Sequence, residues 1–141
     1  MSNVDTVRRL LTALESGDTR AIHELYAEDA QQVEFPNLLL PDGASRDRNA
    51  LLLACERGKA LMATQHYRIT SMLESGDAVA VEADWEGRLA VDAAPLGLRK
   101  GDVMKAHFAQ FLSFRDGRIV RHHTYDCFLD WKRNTASAGE T

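Results

Sequence analysis

The stretch Phe114-Arg-Asp-Gly-Arg-Ile-Val-Arg-His-His-Thr-Tyr-Asp-Cys-Phe128 constrains the fold more than any other part of the chain. Asp116-Gly117 is a strong hairpin signal, because the central positions of a tight β-turn need backbone angles that Asp and Gly tolerate. It separates two long runs, Asp102 to Arg115 and Arg118 to Asp130, each with the pattern of a strand. Side chains alternate across a strand. One face of the second run therefore carries Val120, His122, Thr124, Asp126 and Phe128, and the other Ile119, Arg121, His123, Tyr125 and Cys127. A histidine, a hydroxyl and a carboxylate in one row, bracketed by apolar groups, make an unusual core and a natural pocket wall.

The same alternation extends upstream. Ser75-Gly-Asp77 joins Gln65 to Glu74 with Ala78 to Leu89, so the second half of the chain reads as four antiparallel strands. Val79, Val81, Ala83, Trp85 and Leu89 share the core face of one strand, and Glu82, Asp84, Glu86 and Arg88 share its other face. On the next strand Met104, Ala106, Phe108, Gln110, Leu112 and Phe114 form the inner row, and Lys105, His107, Ala109, Phe111 and Ser113 the outer. Phe111 on that outer row calls for a partner surface, and a sheet apolar on both faces pairs with a second subunit. A homodimer through the outer sheet face is therefore expected.

The first half reads as helices. Val4, Val7, Leu10, Leu11 and Leu14 recur at helical spacing, with Asn3 or Asp5 as the cap. Glu15-Ser-Gly-Asp18 ends this helix and caps a second, Thr19 to about Tyr26. A short strand, Gln32 to Phe35, stops at Pro36, and a loop from Asn37 to Asp47 holds Leu38 to Leu40, suited to a pocket mouth or a subunit contact. A third helix, Arg48 to Met62, turns Leu51, Leu52, Cys55 and Leu61 inward. Helices gathered before an antiparallel meander predict an α+β domain with the sheet curled around the helices.

A chain of 141 residues has the length of one domain and buries roughly two-thirds of its unfolded surface, so it needs no disulfide or metal staple. Residues 1–133 are read as that domain and 134–141, small and polar, as a flexible tail. Seventeen basic against twenty-one acidic residues give a net charge of −4, which argues against a nucleic-acid partner. No run approaches the roughly 18 apolar residues of a membrane span. The start, Met-Ser-Asn-Val-Asp, has neither the basic nor the apolar region of a signal peptide, and a cytoplasmic location is the default. Cys55 and Cys127 lack paired spacing and are expected as two buried thiols.

Asp126 has two readings. Among Phe128, Trp85 and Leu112 its pKa would rise into the range useful for acid–base work; at the strand end it would be exposed or bonded to a backbone amide. His122, about 13 Å away along the strand, is either a catalytic group or a satisfied core histidine. No metal is expected: His122 and His123 point to opposite faces, and His107 shares the outer face with His123 without a carboxylate or cysteine row to complete a set. No serine stands in a nucleophile elbow, and no glycine-rich loop indicates a nucleotide cofactor. Arg46 and Arg48, like Arg8-Arg9 and Arg99-Lys100, read as solvated faces.

Val7-Arg-Arg-Leu-Leu-Thr-Ala-Leu-Glu-Ser-Gly-Asp18, Leu25-Tyr-Ala-Glu-Asp-Ala30 and Phe114-Arg-Asp-Gly-Arg-Ile-Val-Arg-His122 carry a resemblance. From about Val4 to Trp131 the chain resembles a SnoaL-like member of the NTF2-like superfamily, the cone-shaped α+β fold of polyketide cyclases and ketosteroid isomerases. The resemblance implies three N-terminal helices packed in the concavity of a curved, mostly antiparallel sheet. It does not carry the best-known activities. Where ketosteroid isomerases keep a tyrosine and two aspartates, this chain has Leu10, Phe35 and Gln110. The histidine and aspartate of SnoaL-type cyclases fall at Gln110 and Thr124. The last aspartate of the Asp-Arg-Asp set in limonene-epoxide-hydrolase-like members also falls at Thr124.

The site expected from these readings has Asp126 as acid or base, His122 as a second proton carrier and Gln110 as a donor to an oxyanion. Tyr26, Phe35, Tyr67, Trp85, Phe108, Leu112, Thr124 and Phe128 would line the pocket. The ligand is a hydrophobic, cyclic or carbonyl-bearing small molecule, handled without cofactor by isomerisation, cyclisation or dehydration. The alternative is a non-catalytic binding or dimerisation module of the same fold.

Overall fold

The computed structural model describes residues 1–129; the end of the expected domain and the tail at 134–141 lie outside the described residues. The chain runs α1 (Asn3–Ser16), α2 (Thr19–Leu25), β1 (Tyr26–Glu34), β2 (Ala44–Asp47), α3 (Arg48–Leu61), β3 (Met62–Ser75), β4 (Ala78–Leu89), a 3₁₀ turn (Ala94–Leu96), β5 (Val103–Arg115) and β6 (Arg118–Phe128). The six strands form one sheet in the order β2-β1-β6-β5-β4-β3. Every pairing is antiparallel except β1 with β6. The result is the α+β cone expected from the sequence, with the helices lying against one face of a curved sheet.

Local chemistry sets the helix ends. Ser2 caps α1 rather than Asn3 or Asp5: its Oγ accepts from the Asp5 amide at 3.1 Å, and the Asp5 carboxylate returns a bond to the Ser2 amide at 3.3 Å. Gly17 ends the helix at φ 68°, where a side chain would also strike Lys59. Asp18 and Asp47 cap α2 and α3 through the amides of Ala21 and Ala50.

Two apolar clusters hold the layers together. Val7, Leu10 and Ile22 of the first two helices pack on Val79, Val81, Leu112 and Ile119 of the sheet. At the other end Trp85, Leu89, Leu98, Met104 and Ala106 form a second cluster, with Leu39, Tyr67, Phe108 and Phe128 against it. Leu39 thus packs inward while Leu38 is exposed. Among the described residues no helix is long and apolar enough to cross a membrane.

The long strands follow the expected alternation, with three differences. β1 begins at Tyr26 instead of Gln32, and a register shift between Tyr26 and Gln31 hides its period. Ala44–Asp47, read as loop, is the edge strand β2. On β6 the pairing passes from Arg121 to Ile119 and skips Val120. This bulge turns Ile119 fully into the core and leaves Val120 half-buried, the reverse of the expectation. The thiols also differ from expectation: Cys55 is half-buried and Cys127, on the outer row of β6, is exposed.

Candidate functional site

The inner row of β6 reaches across the sheet in both directions. Its parallel pairing with β1 sets Gln32 beside His122 and Glu34 beside Thr124. Its antiparallel pairing with β5 sets Leu112 opposite His122, Gln110 opposite Thr124 and Phe108 opposite Asp126. Polar side chains from β1, β2, β5 and β6 therefore share one face.

The deepest of them form a chain. The Tyr26 hydroxyl lies 2.7 Å from His122 Nδ1, and His122 Nε2 lies 3.0 Å from Gln110 Oε1. An amide oxygen only accepts, so Nε2 carries the proton, and Nδ1 accepts from Tyr26. Burial, with a smaller contribution from His123, pushes the His122 pKa down to about 4, so the ring is neutral at physiological pH. Burial likewise raises the Tyr26 pKa well above its ordinary value. His122 is 2% and Gln110 7% exposed. With Gln110 Oε1 held by His122, its NH₂ group is the end left accessible and without a partner among the described residues.

Asp126 is half-buried, four residues beyond His122 on the same row. Thr124 Oγ1 donates to Asp126 Oδ1 at 2.5 Å. Burial raises the carboxyl pKa to about 6 against the lowering effect of the Thr124 bond; Glu34 raises it further and Arg46 opposes. A buried carboxyl gains its proton more readily because the apolar surroundings solvate charge poorly. Burial, with the Asp126 charge next, also raises the phenol pKa of Tyr67.

Arg46 and Glu34 are part of this face, and the sequence reading missed both. Arg46 Nη1 donates to Gln32 Oε1 at 2.9 Å and to Glu34 Oε1 at 3.0 Å, while Asn37 Nδ2 donates to the other Glu34 oxygen at 2.9 Å. The Arg46 and Glu34 side chains are only 18% and 15% exposed, so Arg46 is not on a solvated face. The available signal was the spacing Gln32-x-Glu34 on one strand, but it needed the register with β6 to assign a side.

The remaining expected residues divide. Tyr67, Trp85, Phe108 and Phe128 gather over the far end of the row, with neighbouring ring centroids 5.9–6.0 Å apart. Leu112 is buried in the first core cluster beneath the helices. Phe35 corrects the expectation: it follows the inward Glu34 by one residue, so alternation turns it to the opposite face. There it stacks on Tyr125 at a centroid distance of 4.4 Å and meets His123 edge-on. This outer face also holds a cleft of about 430 Å³ bordered by Leu73, Ala80, Phe111 and Tyr125.

The outer face contains a second arrangement that the sequence reading denied. Asp84 of β4, His107 of β5 and Cys127 of β6 are directly paired across neighbouring strands, so a carboxylate and a cysteine do flank His107. No group of three or more metal-ligating side chains among the described residues is placed to hold an ion.

A family model described as a SnoaL-like domain matches residues 7–122. Among solved structures, IdmH from Streptomyces antibioticus, a candidate polyketide cyclase, is 26% identical, with a TM-score of 0.76 over 89% of this chain and 92% of that one. A Catenulispora acidiphila protein of ketosteroid isomerase-like fold, solved with trimethylamine, is 21% identical, with a TM-score of 0.68 over 85% and 83%. An LEH-like epoxide hydrolase from M. tuberculosis is 16% identical, with a TM-score of 0.67 over 92% and 84%. The last two likenesses show the fold alone. No curated protein matches the sequence.

Proposed function

Because the chain belongs to the SnoaL-like domain family, we propose that it binds a hydrophobic, carbonyl-bearing small molecule on the concave face of the sheet and catalyses cofactor-free proton transfer there. The observation that carries this reading is Asp126. Its carboxyl is half-buried beside an aromatic cluster, holds one hydroxyl bond and has a pKa near 6. At neutral pH such a group is mostly ionised, yet is a stronger base than an ordinary aspartate.

In the proposed step, an ionised Asp126 oxygen removes a proton from the carbon next to the substrate carbonyl. The electron pair moves onto the carbonyl oxygen, giving an enolate. The Gln110 NH₂ donates to that oxygen. Gln110 and Asp126 lie diagonally on paired strands, with Cβ atoms about 7 Å apart, a span that fits a carbonyl oxygen and its α-hydrogen. His122 transfers no proton to or from the substrate in this scheme, because both of its ring nitrogens are engaged by the protein. Its bond to Gln110 instead fixes which end of the amide faces the substrate. Arg46 supplies a nearby positive charge on the side of Glu34.

In a conjugated substrate the γ-carbon of the enolate then takes the proton back from Asp126, an isomerisation; alternatively the α-carbon attacks a second carbonyl of the same molecule, whose oxygen takes that proton from Asp126, a cyclisation. The likeness to IdmH supports the second outcome for a polyketide-like chain. The aromatic patch of Phe35, Phe111 and Tyr125 on the outer face supports the homodimer expected from the sequence.

A binding module is the second reading. It is favoured by the mutual contacts of Trp85, Phe108 and Phe128, which narrow the interior beside Asp126. One experiment separates the two. A panel of cyclic ketones and 1,3-diketones is screened by thermal shift, and binders are followed in D₂O for deuterium uptake at the α-carbon. The enzyme reading expects uptake above the solvent background, lost in Asp126→Asn with binding retained. Binding with background exchange in the native chain supports the module.

A further inference from the structure

We propose that Arg46 is a specificity-determining residue of the concave site, whose free guanidinium edge takes the second carbonyl oxygen of a dicarbonyl substrate. The inference rests on the concave face being the binding face, and it favours cyclisation over isomerisation there.

Register places the residue. Arg46 lies directly opposite Gln32, and Gln32 opposite His122, so its side chain belongs to the inner face of the sheet. The next row on that face is Glu34, Thr124 and Gln110, on β1, β6 and β5. Arg46 Nη1 bonds Gln32 at its own level and Glu34 one level on. The guanidinium therefore leans toward the row that ends in Gln110, with Asp126 beyond it. Burial raises the pKa of both Asp126 on β6 and Cys55 on α3, and the Arg46 charge opposes the rise in each. A charge felt on both sides lies between the sheet and α3, inside the cone.

The guanidinium is firmly held but only half used. Glu34 gives Oε1 to Arg46 and Oε2 to Asn37 Nδ2. Asn37 is itself fixed: Nδ2 also donates to the Phe35 carbonyl, and Oδ1 accepts from the Leu39 and Leu40 amides. Both Arg46 bonds leave from Nη1. Its Nε and Nη2 have no partner among the described residues, yet neither is sealed off. Arg48 is the contrast, because its Nε is buried without a partner and closed to a ligand. Arg46 thus presents a planar pair of N–H groups on one edge. Its side chain is only 18% exposed, so a ligand oxygen meets these donors with little competition from bulk water.

Glu34 and Gln110 flank Thr124 from opposite sides, two strand spacings or about 9.5 Å apart. A ligand lying across β6 meets the Gln110 NH₂ at one end and Arg46 at the other, with Asp126 beside its middle. Side chains reaching inward from both ends shorten the span to one that suits two oxygens a few carbons apart. A neutral carbonyl fits the charge better than a carboxylate does. Glu34 already neutralises Arg46, and the ionised Asp126 lies beyond it.

The cyclisation step then balances within one molecule. Asp126 removes the α-proton while Gln110 holds the enolate oxygen. The α-carbon bonds to the second carbonyl carbon, whose π-electron pair moves onto its own oxygen. Arg46 holds that developing alkoxide, which takes the proton from Asp126. The product is a cyclic β-hydroxy ketone.

The test measures binding of an acyclic 1,5-diketone and of the mono-ketone with the same carbon skeleton by calorimetric titration. The native chain is expected to bind the diketone at least about tenfold more tightly, the effect of one added charge-assisted hydrogen bond. Arg46→Met, which keeps bulk without donors, is expected to lose that preference, and Arg46→Lys, which keeps the charge without the planar edge, to lose part of it. The preference is a ratio within one chain, so a changed Asp126 titration in a variant drops out of it. No preference in the native chain, or a native-sized preference in Arg46→Met, would overturn the proposal. If Arg46→Met does not fold, a native-sized preference in Arg46→Lys does the same. Deuterium uptake at the α-carbon, followed in the same samples, reports on Asp126 separately. An Arg46-dependent preference with background exchange keeps the Arg46 subsite and removes the base; exchange above background without the preference removes the subsite and keeps the base.

Discussion

Replacing Asp126 with asparagine should stabilise the protein, and the gain should depend on pH. The folded-state carboxyl titrates near 6 rather than 3.8, mainly because it is buried. A rise of that size corresponds to about 3 kcal/mol of discrimination against the ionised form. The sign follows from linkage. Between the unfolded and folded values the folded state holds more protons, so this residue's contribution to stability falls as pH rises through about 4 to 6. At pH 7 the native protein carries the full penalty. Asparagine is close in shape, still accepts the Thr124 hydroxyl and never ionises.

Asp126→Asn should therefore gain about 2–3 kcal/mol at pH 7 and about 0.5 kcal/mol at pH 4. His122 makes the comparison sharper. Its folded value near 4 lies below its unfolded value of 6.5, so its contribution is present above 6.5 and lost as pH falls towards 4. The two groups nearly cancel in the native chain, and the variant exposes the His122 loss alone. Urea unfolding of both chains at the two pH values measures the difference. Equal stabilities at pH 7, or a gain as large at pH 4, would refute the placement of Asp126 in an apolar environment. A residue retained at such a penalty fits a functional role, since sites commonly trade stability for activity.

Tyr26→Phe leaves His122 Nδ1 buried without its donor and should destabilise the fold by about 1–3 kcal/mol in thermal or urea unfolding. Gly87→Ala places a methyl 2.5 Å from the Trp85 ring, and that rigid indole must move. The variant should shift Trp85 fluorescence and lower the melting temperature; an unchanged spectrum would contradict the close packing.

The second half of the fold was legible because it obeys one rule. Asp116-Gly117 fixed a hairpin, and period-two alternation assigned Met104 to Phe114 and His122 to Phe128 to the inner face. The bulge at Val120 left no local signal, since isoleucine and valine suit either position. The first half was less legible. Ala27-Glu-Asp-Ala30 reads as a turn because its two exposed acids stand side by side, yet it lies within β1. Ala44–Asp47 is too short for a period to show. Arg46 and Glu34 were missed for that reason: they share a face with Thr124 and act electrostatically on Asp126 only through the parallel pairing of β1 with β6, which no hairpin announces. Phe35 was expected as an apolar wall of the pocket and lies outside it by strand parity. The Asp84, His107 and Cys127 row was invisible for a related reason, because it depends on the register of three strands at once.

The most direct measurement is the titration of Asp126 itself. Carbon-detected NMR of protein labelled at aspartate carboxyls, with the Asp126 signal assigned by its loss in Asp126→Asn, gives the midpoint without a substrate. The expected midpoint is near 6. A midpoint at or below the ordinary 3.8 would show a solvated carboxylate and remove the base from the proposed site.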